Sequence, residues 1–285
     1  MKRKPIRLGT QLSPHFSVAG IVDRESVNPV YLLWDARDWC AKACKLFDSD
    51  RAAKHEADLL SAFDHPNIAR CFGSEKPGLM LMEFLEGPTL SHFISAQKNH
   101  RLSVGNALRI AIYIGSALIH MHRKGYLHLD VKASNIIIYR SRPVLIDVGS
   151  ARKISAGKPS HIIGTETYMS PEQCLREKLS PASDVFALGA MLFRMLSGEF
   201  PFVQKRSSKN FAQVSQPPLA LRTLRSGIPL GLEKLVYACL MRDPAQRPTL
   251  EMLLPQLHGF ITSGAAMWPE QITPGRKAKR KNNAS

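Results

Sequence analysis

Metal-binding and disulfide signatures are missing from this chain. Its five cysteines, Cys40, Cys44, Cys71, Cys174 and Cys239, are odd in number and scattered, with no Cys-x-x-Cys pair and no histidine at zinc-ligand spacing. That pattern excludes zinc-finger and disulfide scaffolds and reads as reduced, mostly buried thiols. Long apolar runs are missing too. The longest uncharged candidates, residues 110–119 and 185–193, are about half of the ~20 residues that a bilayer span requires. The basic opening stretch MKRKPIRLGTQLS has no apolar core behind it, so it does not read as a secretory signal. A charge-driven nucleic-acid role finds little support. The formal charge is +16, but Lys2, Arg3, Lys4, Arg7, Arg276, Lys277, Lys279, Arg280 and Lys281 crowd the two ends, where charge runs are usually solvated tails. What the chain does have is a core: 44% hydrophobic residues in 285 suffice for one large domain or two modest lobes. The expectation is a soluble, intracellular, cytoplasmic protein.

The chemistry concentrates in residues 128–149, HLDVKASNIIIYRSRPVLIDVG. Two short apolar runs, Ile136 to Ile138 and Val144 to Ile146, predict a hairpin. Asp130, Lys132 and Asn135 precede its first strand and Asp147 follows its second, so pairing the strands gathers all four at one end. A carboxylate to orient a hydroxyl and hard oxygens to hold a divalent metal suit phosphoryl transfer. The stretch resembles the protein kinase family: His128, Leu129, Asp130, Val131 and Asn135 follow H-R-D-L-x-x-x-N, and Asp147, Val148 and Gly149 follow D-F-G. The resemblance implies Asp130 as catalytic base, Lys132 steadying the transferring phosphoryl group, and Asn135 and Asp147 holding Mg²⁺. Leu129 stands where the family usually has arginine, and Val148 where it usually has phenylalanine.

The other parts of the resemblance occur in order along the chain. Residues 15–47 read as three strands, with Ala41, Ala43 and Lys45 on one face of the third. Lys45 matches the Val-Ala-x-Lys lysine, which implies pairing with the α/β-phosphates. A helical pattern over residues 50–63 carries Glu56, the implied partner of Lys45. Strands follow and end at Glu83-Phe84-Leu85-Glu86-Gly87-Pro88, a chain reversal that the resemblance makes the adenine-binding hinge, with Met82 at its gate. Val30, Ala43, Met82, Glu83, Leu85 and Ile137 are the implied nucleotide contacts beside Lys45 and Glu56. Ser103 reads as the N-cap of a long helix whose face of Leu108, Ala111, Ile114, Leu118 and Met121 is core. GTETYMSPE, residues 164–172, resembles the family's substrate-docking segment, with Thr165 typical of Ser/Thr-directed members and Ser170 replacing alanine. Asp184, at the start of an apolar helix, is placed to cap that helix and reach the catalytic loop. Arg247 is the implied ion-pair partner of Glu172.

One family feature is absent. Aligning Val30 with the valine of the glycine-rich loop puts Asp23, Glu25 and Asn28 at its three glycine positions. Side chains there hinder close approach of backbone N–H groups to phosphates, and the acidic ones repel them. The fold expected is α+β and bilobal, a small β-rich lobe with one helix and a larger mainly helical lobe. The boundaries expected are a basic arm 1–14, a kinase domain 15–260 (small lobe 15–82, hinge 83–88, large lobe 89–260) and a basic tail 261–285. The function implied is that of a eukaryotic-like (Hanks-type) serine/threonine kinase of the bacterial branch, using ATP and Mg²⁺ on a protein substrate. The alternative is a weak or inactive pseudokinase serving as a binding scaffold. Neither membrane nor nucleic acid is expected as a partner, and oligomeric state is left open.

Overall fold

Period-two alternation builds the first lobe. The computed structural model describes residues 6–23, 28–203 and 211–261; Glu25, residues 1–5 of the expected arm and the expected tail from residue 262 onward lie outside these. Strands β1 (Phe16–Asp23), β2 (Val30–Asp35), β3 (Cys40–Leu46), β4 (Cys71–Glu75) and β5 (Leu79–Glu83) form an antiparallel sheet of order β1-β2-β3-β5-β4. Cys44 and Leu46 of β3 join Phe16, Val18, Tyr31, Leu33, Leu79 and Leu81 on one face, which leaves Ala43 and Lys45 on the other. That second face receives helix α1 (Asp50–Ser61), capped by Ser49, whose side chain accepts from the Ala52 N–H at 3.2 Å. Ala53, Glu56, Ala57 and Leu60 are buried along α1. Glu56 therefore lies on the packed side of the helix, not toward solvent.

The arm expected over residues 1–14 needs correction from residue 6 onward. Gly9 N–H donates to Val18 O (2.8 Å), Val18 N–H donates to Thr10 O (3.0 Å), and Ile6 and Leu12 pack against the outer cluster. The physical reason is apolar: these two side chains cover the exposed side of the sheet, which a reading of charge alone overlooked.

The strap after β5 leads into the helical lobe, whose elements run α2 (Leu90–Ser95), α3 (Val104–Arg123), β6 (Tyr126–Leu127), β7 (Ile136–Tyr139), β8 (Arg142–Leu145), β9 (Arg152–Lys153), α4 (Pro171–Cys174), α5 (Pro181–Ser197), α6 (Ala212–Ser215), α7 (Leu221–Leu224), α8 (Leu230–Cys239) and α9 (Leu250–Gly259). Ser103 caps α3 by accepting from Asn106 N–H at 3.2 Å. By length and composition α3 could cross a membrane, yet its stripe of Leu108, Ala111, Ile114, Leu118 and Met121 is fully buried and the helix packs against α5 and α9. It is the spine of this lobe.

Helix α4 is tied to the far end of the lobe by one ion pair. Arg247 spends all five guanidinium N–H groups: two on Glu172 (2.7 and 2.8 Å) and three on the carbonyls of Met241, Ala182 and Arg242 (2.8, 2.8 and 3.1 Å). The Ser183 hydroxyl also donates to Glu172, at 2.8 Å. Burial pushes the Glu172 carboxyl up, but Arg247 and Ser183 push it further down, leaving it below its ordinary value of 4.5. A carboxyl depressed in the folded state adds stability that is complete above the unfolded value and lost as pH falls through the folded one. Glu172→Gln should therefore cost roughly 3–5 kcal/mol at neutral pH. In chemical unfolding, the gap from wild type should narrow as pH drops below the ordinary carboxylate value; a gap that is constant or widens on acidification contradicts this account of the pair.

Candidate active site

The loop between β6 and β7 is fixed by a carboxylate from a distant helix. Asp184, with no solvent exposure, accepts from Leu129 N–H on Oδ1 (2.8 Å) and from His128 N–H on Oδ2 (2.9 Å), and Oδ2 also meets His122 Nε2 at 2.8 Å. Burial pushes the Asp184 carboxyl up, but these partners outweigh it and hold it below the usual range. The expected reach to the loop backbone is present. The expected helix cap is not: Ser180 occupies the N-cap of α5 and Asp184 lies inside the first turn, so its oxygens are free for the loop. The hold is needed because Leu129 takes a left-handed backbone, φ 65°, which is uncommon outside glycine.

That bend presents Asp130 to a tight polar cluster. Thr165 Oγ1 donates to Asp130 Oδ1 (2.7 Å), Lys132 Nζ lies 2.7 Å from Asp130 Oδ2, and Lys132 Nζ also donates to Thr165 Oγ1 (2.8 Å). Asn135 Nδ2 donates to Asp130 O and Oδ2 at 3.1 and 3.2 Å. The pairing of β7 with β8, Ile136 opposite Leu145, then sets Asn135 and Asp147 at the same end of the hairpin, as the sequence implied.

Asp147 faces the sheet lobe. Its Oδ1 accepts from Gly149 N–H (2.8 Å) and from Lys45 Nζ (3.2 Å), while Lys45 Nζ also donates to Glu56 Oε1 at 2.6 Å. Glycine suits position 149, since a Cβ there would stand 3.0 Å from Glu56 Oε2 and 3.1 Å from Asp147 Oδ1, tight enough that these carboxylates would have to give way. Burial works against ionisation of all three groups. For Lys45 the two carboxylates win and raise its pKa; for Asp147, Lys45 and the Gly149 N–H win and lower it; for Glu56, burial prevails over Lys45, with Asp147 adding to it, and its pKa is raised.

The donor set suits a divalent metal. Because Asn135 turns its Nδ2 to Asp130, its Oδ1 is left without a hydrogen-bond donor among the described residues, and so is Asp147 Oδ2. An amide oxygen and a carboxylate oxygen, completed by phosphates and water, are ligands for a hard cation. The implied adenine-binding edge lies beside them. Ala43 sits opposite Met82, Lys45 opposite Val30, and Lys42 opposite Glu83. Leu85 buries its side chain with Ala69 and Val144, so only its backbone can face a base, and its N–H and C=O have no partner among the described residues. Ile137 is half-buried on β7. Of the positions without loop glycines, Asp23 ends β1 opposite Val30.

Two histidines had no assigned role in the sequence reading. His128, fully buried, accepts Asp130 N–H on Nδ1 at 3.2 Å, and His122 braces Asp184. His128 belonged to the motif; His122 lay one position off an apolar stripe and gave no signal.

A family model described as a protein kinase domain matches residues 26–258. This chain belongs to the protein kinase family. Its kinase relatives include the probable serine/threonine-protein kinase PkwA of Thermomonospora curvata, 36% identical over 64% of this chain and 24% of that protein. The serine/threonine-protein kinase PrkC of Bacillus subtilis is 30% identical over 84% of this chain and 39% of its own length. Mitogen-activated protein kinase kinase kinase 8 of Rattus norvegicus is 28% identical over 83% and 52%. The chain thus spans between a quarter and a half of the length of these curated relatives. Kinase domains in general use ATP and a divalent metal, in keeping with the two oxygens that Asn135 and Asp147 leave open.

Proposed function

We propose that this protein is a serine/threonine kinase that transfers the γ-phosphoryl group of ATP to hydroxyls of a protein substrate. The observation that carries the proposal is the closed cluster of Asp130, Lys132 and Thr165, with contacts of 2.7 to 2.8 Å. In this reading Asp130 orients the acceptor hydroxyl and takes its proton as the oxygen attacks the γ-phosphorus and the β–γ bridging oxygen leaves with ADP. Lys132 offsets charge on the transferring group, and Lys45 holds the α/β-phosphates. Asn135 and Asp147 would hold Mg²⁺, which when bound supplies positive charge against the phosphate oxygens. Residues 164–172 favour a protein acceptor in this reading, since the segment touches Asp130 through Thr165 and is anchored by Arg247 through Glu172. A cytoplasmic location, where ATP is supplied, belongs to the same reading. A scaffold would need none of these charged contacts. The side chains at positions 23, 25 and 28 weaken nucleotide binding in this reading without removing the chemistry.

The same site bears on control. Leu129 is buried with Leu127 and Leu179, and Ile163, just before the docking segment, packs against them. An apolar contact thus stands where an arginine would need a phosphate to balance it, so no anion is required to order the segment.

Two outcomes test these readings. Asp130→Asn should abolish transfer while leaving Mg-ATP affinity intact in calorimetry, whereas Asp147→Asn should weaken Mg-ATP binding itself; equal transfer by wild type and Asp130→Asn contradicts the proposal. A combined Ser155→Ala, Ser160→Ala, Thr167→Ala variant should match phosphatase-stripped wild type in rate. A loss beyond about tenfold, or ~1.4 kcal/mol of transition-state stabilisation, would mean that a phosphate does order the segment.

A further inference from the structure

Gln173 follows Glu172 on α4 and is 1% exposed. Its side-chain amide uses every hydrogen-bonding capacity it has. Nε2 donates to Leu129 O at 2.8 Å and to Ile163 O at 2.9 Å, while Oε1 accepts from Ser170 N–H at 3.0 Å and from Ser170 Oγ at 3.1 Å. One amide therefore joins the residue before Asp130, the residue two before Thr165, just ahead of the docking segment, and the cap of its own helix.

The two carbonyls it holds bracket the Asp130–Thr165 contact. Leu129 is in the left-handed region, and the direction of its carbonyl sets the peptide plane from which Asp130 departs. Gly164 lies between Ile163 and Thr165 with φ 112°; a Cβ on it would stand 2.7 Å from Leu129 O and 2.9 Å from Gln173 Nε2. The loops close over this amide only because residue 164 has no side chain. The two carbonyls, which can only accept, and the Ser170 N–H, which can only donate, fix which end of the amide faces which; the Ser170 hydroxyl, where the family has alanine, adds a second donor to Oε1.

We infer that Gln173 is a positioning residue, holding Asp130 and Thr165 in register for phosphoryl transfer without touching either reactant. The chemistry requires glutamine. Glutamate would set a carboxylate against two carbonyl oxygens with no proton to offer, and methionine would leave both carbonyls buried and unpaired. A displacement of the base of this kind costs about 10²-fold in rate. The inference rests on the proposed kinase reading, so its test needs one readout with catalysis and one without.

The experiment compares wild type, Gln173→Met and Gln173→Glu in the full chain. Hydrogen exchange is followed over residues 127–131 and 163–170, together with kcat and the KM for ATP on a serine peptide. Expected are faster exchange in both segments at once, kcat down about 10²-fold with ATP KM unchanged, and a larger loss for Gln173→Glu than for Gln173→Met. Exchange that quickens only around α4, or a kcat equal to wild type, overturns the inference. Wild type that transfers no phosphate while both variants still loosen both segments upholds the positioning role of Gln173 and overturns the kinase reading instead.

Discussion

One ammonium group joins the two lobes. Lys45 reaches from the sheet to Glu56 on α1 and to Asp147 at the end of the β7–β8 hairpin, at 2.6 and 3.2 Å; the Lys45 and Glu56 side chains are largely withdrawn from water, while that of Asp147 keeps 38% of its exposure. Removing charged groups from solvent is tolerated only when partners replace the lost hydration. When all three are ionised, the cluster carries one uncompensated negative charge, next to the open oxygens of Asn135 and Asp147. That charge and those oxygens suit the cation and phosphates of the proposed reaction. The cluster acts beside backbone bonds that also cross between the lobes, Ala69 N–H to Leu145 O and Leu145 N–H to Asn67 O, both at 2.9 Å, and it fixes the aim of Asp147 toward Lys45.

The catalytic loop is held by a second buried charge. Asp184 neutralises no metal and touches no reactant; it accepts the N–H groups of His128 and Leu129 and so maintains a bend that Leu129 would not adopt alone. The loop is thus clamped on its N–H side by Asp184 and on its carbonyl side by Gln173. Asp130 stands on a backbone restrained in both directions, which is what the base of the proposed reaction needs to meet an acceptor hydroxyl reproducibly.

Much of this was legible in the sequence where local pattern and motif coincide. Alternation put Ala43 and Lys45 on one face of β3, Ser103 announced α3, and the spacing around two isoleucine- and valine-rich runs gathered Asp130, Lys132, Asn135 and Asp147. The Arg247–Glu172 pair followed from the family resemblance. What remained hidden depends on side chains meeting across long separations: Gln173 with Leu129, 44 residues apart, and His122 with Asp184, 62 apart. Periodicity carries no information about such contacts. Asp184 was misplaced as a cap because an acidic residue near a helix start is consistent with either use, and only the fold shows that Ser180 already occupies that position. Residues 6–14 read as an arm by composition because basic neighbours dominate it, although Ile6 and Leu12 have a surface to cover.

The account is of a kinase site whose charged chemistry is complete although the phosphate-covering loop lacks its glycines. Intact mass spectrometry of a generic basic protein acceptor, incubated with ATP and Mg²⁺ and either wild type or a Lys45→Met variant, tests it most directly. The account predicts acceptor mass rising in steps of one phosphoryl group with wild type and remaining unchanged with the variant. No step with wild type under Mg²⁺, Mn²⁺ or Ca²⁺, on either the acceptor or the protein itself, would contradict it.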